Sequence, residues 1–182
     1  RYTIGEVELG VNYVLIISTN AGLWAYNIGD TIQFTSLKPY RVIVSGRIKH
    51  YISAFGEHVI GKEVESALKE AMEGTDVRVN EFTVAPQITP TEGLPYHEWF
   101  IEFENEPINL EDFAIKIDAS MRKQNVYYDD LIVGNVLQTL VITSVSKNGF
   151  QEYMKSIGKL GGQNKLPRLS NDRKIAQFFE NK

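Results

Sequence analysis

The run Tyr26-Asn27-Ile28-Gly29-Asp30 sets a carboxylate immediately after a glycine, where backbone can approach a ligand closely. An ionised Asp offers acceptors only, which suits a pair of sugar hydroxyls. A strand's length downstream comes Ser45-Gly46-Arg47-Ile48-Lys49, and Arg47 adds a fixed fork of donors for ribose or phosphate oxygens. Lys49 is a polar residue at a junction, where torsions can change without burying an unpaired charge. Near the far end, Lys165 follows Gly161-Gly162-Gln163-Asn164, a permissive loop that would let an ammonium group move; Arg168 lies close behind it. Each also has a plainer reading: Asp30 as a turn residue after Gly29, Lys49 as an exposed strand-end lysine, and Lys165 as a solvated loop lysine.

The elements around these residues fall into two parts. Over residues 1–45, the β-branched run Tyr13 to Ser18, the turn Asn20-Ala21-Gly22, and the stretches Thr31 to Phe34 and Arg41 to Ser45 read as strands broken at Lys38-Pro39. So short a β-rich piece without covering helices does not close a core alone, and it reads as the edge of a larger domain. From Ile48 the pattern changes. A strand or tight hairpin turns at Gly56, then Val64, Ala67, Leu68, Ala71 and Met72 recur at helical spacing up to Gly74. Val77 to Ala85 and Trp99 to Glu104 read as strands around the loop Pro86 to Tyr96. Asn109 caps a second helix with the stripe Leu110, Phe113, Ala114, Ile117 and Met121. Thr139 to Val145 is a strand, and Ser146 caps a third helix carrying Phe150, Tyr153, Met154 and Ile157. A polar loop from Lys159 to Asn171 precedes a last helix with Ile175, Phe178 and Phe179.

The expected fold is therefore α+β. A small C-terminal domain over residues 48–182 has the ferredoxin-like order βαββαβ, helices on one face of its sheet and extra C-terminal helices; the β-rich edge occupies residues 1–47. The Glu-bearing stretch Glu98 to Glu106 alternates with Trp99, Ile101 and Phe103 and reads as the wet face of a strand. Asp129 and Asp130 read as solvated turn acids, and His50, His58 and His97 as structural or exposed residues, not metal ligands.

Composition removes several classes. The formal charge of −4 argues against a sequence-independent nucleic-acid binder. The absence of cysteine excludes disulfides, Cys-based metal sites and a Cys nucleophile. No apolar run approaches a membrane span, and no metal site is expected from the residues present.

The order of these motifs resembles the adenylate-forming enzymes: a Gly-Asp ribose clamp, a Gly-Arg hinge, then the Gly turn Phe55-Gly56-Glu57 with Glu63-Val64-Glu65 opening a small C-terminal domain. Gly162-Gln163-Asn164-Lys165-Leu166-Pro167-Arg168 is similar to the terminal lysine loop of the auxin-responsive Gretchen Hagen family, the acyl-acid amido synthetases. Ala25 stands in a segment where plant-like members usually carry an Arg, which removes a charge that would contact substrate or phosphate; the resemblance is to a bacterial-type member. It implies an enzyme that uses ATP and Mg²⁺ to form an acyl-adenylate and passes the acyl group to an amino acid amine. It assigns Asp30 and Arg47 to ATP, Lys49 to the pivot of domain rotation, and Lys165 to catalysis, where it meets charge on the α-phosphoryl group, a role Arg168 could share. No Gly- and Ser/Thr-rich phosphate-cradling loop is present, so the chain reads as a C-terminal fragment that is inactive alone. The expected setting is a cytoplasmic, monomeric enzyme without nucleic-acid or membrane partners. Two alternatives stand beside it: a fragment of an acyl-coenzyme A ligase of the same superfamily, and a free-standing ferredoxin-like ligand-binding module.

Overall fold

The computed structural model describes residues 2–47, 51–161 and 164–181, with Arg47 described by its backbone alone. The chain divides into two compact units, Arg1–His50 and Tyr51–Lys182. Lys49, the expected pivot, lies outside the described residues.

The first unit is a three-stranded antiparallel sheet of β1 (Asn12–Ile17), β2 (Tyr26–Leu37) and β3 (Tyr40–Arg47), with β2 in the centre. The strands run longer than their β-branched cores suggest, and β2 takes in the whole Tyr26–Asp30 motif. Ile32, Phe34 and Ser45 are its buried residues, while Val14, Ile16, Tyr26, Ile28, Val42 and Val44 remain exposed. Three strands with so few buried side chains make little core of their own.

The second unit opens with a hairpin of β4 (Tyr51–Ile52) and β5 (Val59–Ile60), leading into α1 (Gly61–Met72). The hydrophobic spacing holds, since Val64, Ala67, Leu68 and Ala71 form the buried face of α1. β6 (Arg78–Gln87) and β7 (Tyr96–Asn105) pair antiparallel, and β8 (Val141–Val145) lies parallel to β7. Between them stand α2 (Leu110–Gln124), started by Asn109 Oδ1 accepting the Glu111 amide at 2.9 Å, and α3 (Val126–Val133). The order βαββαβ is present, but its first strand stands in the separate two-stranded sheet. β8 therefore joins β7 directly, in a three-stranded sheet of order β6-β7-β8.

The chain ends with α4 (Gly149–Ser156) and α5 (Lys174–Glu180). These cover the second face of the sheet, so helices lie on both faces and not on one. Alternate residues of a strand face opposite ways: Trp99, Ile101 and Phe103 pack with α1 and α2, whereas Phe100 packs with Phe150, Leu166, Ile175 and Ala176.

That second layer corrects the reading of Glu98 to Glu106 as a wet face. Glu98 and Glu102 share the Phe100 side of β7 and are buried beneath the terminal segment. Each has partners: Glu98 accepts from Thr143 Oγ1 at 2.7 Å and Arg173 Nη2 at 2.6 Å. Glu102 accepts the amides of Asn148 at 3.0 Å and Phe150 at 3.4 Å. Its negative charge thus meets the N-terminus of α4, where backbone donors and the helix dipole favour it. Ser146 had been expected there; Asn148, left-handed at φ 63°, occupies the N-cap without a side-chain cap. Gly149 is required by space, because a Cβ would come within 2.5 Å of Val145 Cγ1. Nor are Asp129 and Asp130 turn acids. Both lie on α3, and Asp129 is ion-paired with Arg122 of α2.

Candidate functional site

β2 and β3 place Asp30 and Arg47 as direct cross-strand partners, two residues seventeen positions apart in sequence brought together by register. In an antiparallel pair, opposed residues hold their Cβ atoms within about 4.5–5.5 Å on one face. Gly29, at φ +85°, takes a backbone shape that side-chain-bearing residues rarely adopt, and Asn27 Oδ1 accepts its amide at 2.9 Å. On the other side the register slips between Thr31 and Ile32, the mark of a bulge, which re-aims side chains locally. Gly46 lies opposite Thr31, whose Oγ1 accepts a hydrogen bond from Ser45 Oγ at 3.1 Å. Asp30 is half-buried. The plainer reading of Asp30 as a turn residue is not what the backbone adopts: it is a strand residue.

In the second unit Lys165 is exposed and, among the described residues, has no ion-pair partner. Gly161 precedes it at φ +88°, while Gly162 and Gln163 lie outside the described residues. The chain after it is far from loose. Leu166 and Leu169 are buried, Thr83 Oγ1 donates to Pro167 O at 2.8 Å, and Leu169 forms a parallel bridge to Val84. That bridge is closed by Val84 N to Arg168 O at 2.9 Å and Ser170 N to Val84 O at 3.0 Å.

The same segment separates Lys165 from Arg168. Arg168 is ion-paired with Glu81 and Glu65, donates Nη1–H to Phe82 O at 3.2 Å and lies 4.6 Å over the Phe82 ring. Burial depresses its pKa below the ordinary arginine value, with Glu65 pulling the other way. Its guanidinium holds the terminal segment to α1 and β6; Lys165 is the cation left facing solvent.

A buried polar network escaped the sequence reading. In the β4–β5 turn, Glu57 is completely buried and its Oε1 lies 2.9 Å from Nε2 of His97, itself buried on β7. Burial pushes the Glu57 carboxyl up, but the His97 hydrogen bond, backbone donors and the His97 charge together bring it below its ordinary value. An ionised carboxylate only accepts, so His97 Nε2 carries the proton. The Phe55 amide donates to Glu57 Oε2 at 2.8 Å, and Asn125 Nδ2 donates to Glu57 O at 3.1 Å. Tyr128 packs on the His97 ring and donates to Asp118 at 2.6 Å; burial first, then Asp118, drives its phenol well above the usual range. Burial also raises Glu63, against hydrogen bonds from the Ile60 amide and Asn125. The only sequence signal was a lone Glu after Gly56 and a lone His opening an apolar strand. His97 is thus a buried member of this network; His58 is exposed beside Tyr51, and His50 lies outside the described residues.

Among the described residues no three or more His, Cys, Asp or Glu side chains converge to hold a metal ion, and no helix is long and apolar enough to cross a membrane.

The chain is a two-unit α+β protein with an Asp/Arg cross-strand pair in its first unit and an exposed loop lysine in its second. The family model for the GH3 family C-terminal domain matches residues 62–174, and that for the GH3 family central domain matches residues 1–47. The chain belongs to the GH3 family. It is 26% identical to the indole-3-acetic acid-amido synthetase GH3.3 of Arabidopsis thaliana over 196 residues, covering 98% of this chain and 32% of that protein. Its likeness to GH3.6 of the same plant is 26% over 202 residues, again 32% of the relative. Among solved structures, the GH3.15 acyl acid amido synthetase superposes with a TM-score of 0.75 at 20% identity, over 99% of this chain and 35% of that one. The chain thus spans about a third of the length of the curated relatives it matches. The named relatives are plant proteins, so the bacterial-type expectation draws no support from them.

Proposed function

We propose that this chain is the C-terminal part of an ATP-dependent acyl-acid amido synthetase. The observation that carries the reading is the cross-strand register of Asp30 and Arg47 in a chain of the GH3 family. Asp30 accepts hydrogen bonds from the ribose hydroxyls of ATP, and Arg47 adds donors beside it. Residues 1–47 are the edge of a larger domain that supplies the phosphate loop and the acyl pocket, and the exposed apolar side chains of the three-stranded sheet support this. Residues 48–182 form the mobile domain, pivoting at Lys49. The site for Mg²⁺, which ATP-dependent enzymes hold through one or two carboxylates and the phosphates, is completed by the larger domain.

The chemistry runs in two steps. A carboxylate oxygen of the acyl acid forms a bond to the α-phosphorus of ATP, and the bond to the β-phosphate oxygen breaks as pyrophosphate leaves with the electron pair. The amine of an amino acid then attacks the acyl carbon, AMP leaves, and the ammonium proton is lost to form the amide. Lys165 stabilises the charge on the α-phosphoryl group in the first step. The relatives' names as indole-3-acetic acid-amido synthetases favour an amide over a coenzyme A thioester as product. The setting proposed is cytoplasmic and monomeric, without nucleic-acid or membrane partners.

The test is carboxylate-dependent exchange of pyrophosphate into ATP. The full-length protein is expected to catalyse it and the isolated 182-residue chain to stay at the no-enzyme blank. Exchange by a pure isolated chain would overturn the division of labour between the two parts. A free-standing ligand-binding module would leave the longer protein without exchange as well.

Asp30→Ala in the full-length protein is expected to lower kcat/KM for ATP by roughly ten- to a hundredfold. That corresponds to about 1.5–3 kcal/mol for a lost charge-assisted hydrogen bond. Unchanged ATP kinetics would reduce Asp30 to a strand residue.

A further inference from the structure

Lys165 is exposed, yet the segment immediately behind it is fastened at three places. Leu166 and Leu169 enter the core, and Arg168 to Ser170 pair with the free side of β6 through Val84. The third fastening is the side chain of Asn171. Its Nδ2–H donates to the backbone oxygen of Tyr51, and its Oδ1 accepts the Ser53 amide at 3.0 Å. One primary amide therefore pairs with the backbone on both sides of Ile52, as a neighbouring strand would. Asn171 and Ser53 are 118 positions apart in sequence. Tyr51 to Ser53 is the first stretch of the second unit.

The lysine thus stands on a fixed base, joined to β4 by the Asn171 side chain. We propose that Asn171 is a positioning residue for Lys165, locking the segment that carries it to β4 so that domain rotation sets the ammonium group at the α-phosphoryl group. This rests on the reading of Lys165 given above. Asn171 touches no substrate. Its contribution is to remove slack between β4 and the lysine, and misplacement of a reacting group by about 1 Å can cost up to roughly a hundredfold in rate.

The experiment compares Asn171→Ala, Asn171→Asp, Lys165→Ala and the Lys165→Ala/Asn171→Ala double variant in the full-length protein, with adenylation and acyl transfer from pre-formed acyl-adenylate timed separately. Asn171→Ala is expected to slow adenylation about tenfold or more through kcat, with KM for ATP and the transfer step unchanged. Asn171→Asp keeps an acceptor for the Ser53 amide but sets an oxygen against the Tyr51 carbonyl, so it should be slow as well while retaining the fold. The double variant should be no slower than Lys165→Ala alone, because Asn171 acts only through the lysine. Multiplying losses, or equal slowing of both half-reactions, would show a general structural role and overturn the proposal. If Lys165→Ala slows adenylation and neither Asn171 variant does, the proposal fails while the lysine reading stands. Full adenylation by Lys165→Ala would remove both.

Discussion

Lys165→Ala in the full-length protein is expected to slow acyl-adenylate formation about a hundred- to a thousandfold and to leave acyl transfer from pre-formed adenylate nearly unchanged. That range is typical for losing one donor aimed at charge that develops in a transition state. The asymmetry follows from timing: α-phosphoryl charge must be met while pyrophosphate departs and is relieved once the adenylate exists. Folding should be untouched, since the side chain is exposed and its base is held by Leu166, Arg168 and Leu169, not by the lysine itself. Pre-steady-state measurement of both half-reactions decides it. Equal losses in the two steps would return Lys165 to a solvated loop residue, and a loss confined to transfer would assign it to the other half-reaction.

His97→Ala is expected to destabilise the Tyr51–Lys182 unit by about 3–5 kcal/mol, because the Glu57 carboxylate is left buried without the Nε2–H that satisfies it. Glu57 would keep its carboxylate in the core with the Phe55 amide but without Nε2. Replacing both members, as Glu57→Leu/His97→Leu, should recover most of the loss, because the desolvation cost then disappears with the pair. Urea unfolding followed by the fluorescence of buried Trp99, with Trp24 changed to Phe, reports the unit directly. The pH dependence has a definite sign. Glu57 is depressed from 4.5 in the folded unit, so its contribution is complete above that value and fades as pH falls through the lower folded one. The stability gap between wild type and Glu57→Gln should therefore narrow in acid. A gap that stays constant to low pH would mean that Glu57 is not ionised in the folded state.

The sequence made the helices and strands legible where periodicity was strong. The stripe of α1, the Asn109 cap of α2 and the apolar core of β8 all lie where spacing placed them. It failed where a tertiary layer reversed a local pattern. Alternating Glu and aromatic residues on β7 look amphipathic, and only the packing of α4 and α5 over that face makes Glu98 and Glu102 interior residues. α3 was hidden because Tyr127-Tyr128-Asp129-Asp130 has no apolar stripe; it is held instead by Tyr128 in the core and by the Arg122–Asp129 ion pair. Asp30 and Arg47 could be chosen by residue type and spacing, but their opposition depends on hairpin register, which no local rule fixes once bulges intervene. Arg168 and Lys165 looked equivalent as neighbouring cations, and what distinguishes them is that one meets Glu65, Glu81 and Phe82 on elements far away in sequence.

The parallel bridge between Leu169 and Val84 has a consequence for how the tail of this chain can change over evolutionary time. β6 is an outer strand of its sheet, and an outer strand with open backbone groups invites pairing with another molecule. The segment that carries the lysine is also the one that shields that border. Terminal segments ordinarily tolerate shortening and drift because little depends on them. Here a frameshift or early stop before Lys165 would remove that lysine and at the same stroke bare a strand prone to intermolecular association. Selection against aggregation alone would then hold the segment in place, whatever the lysine does.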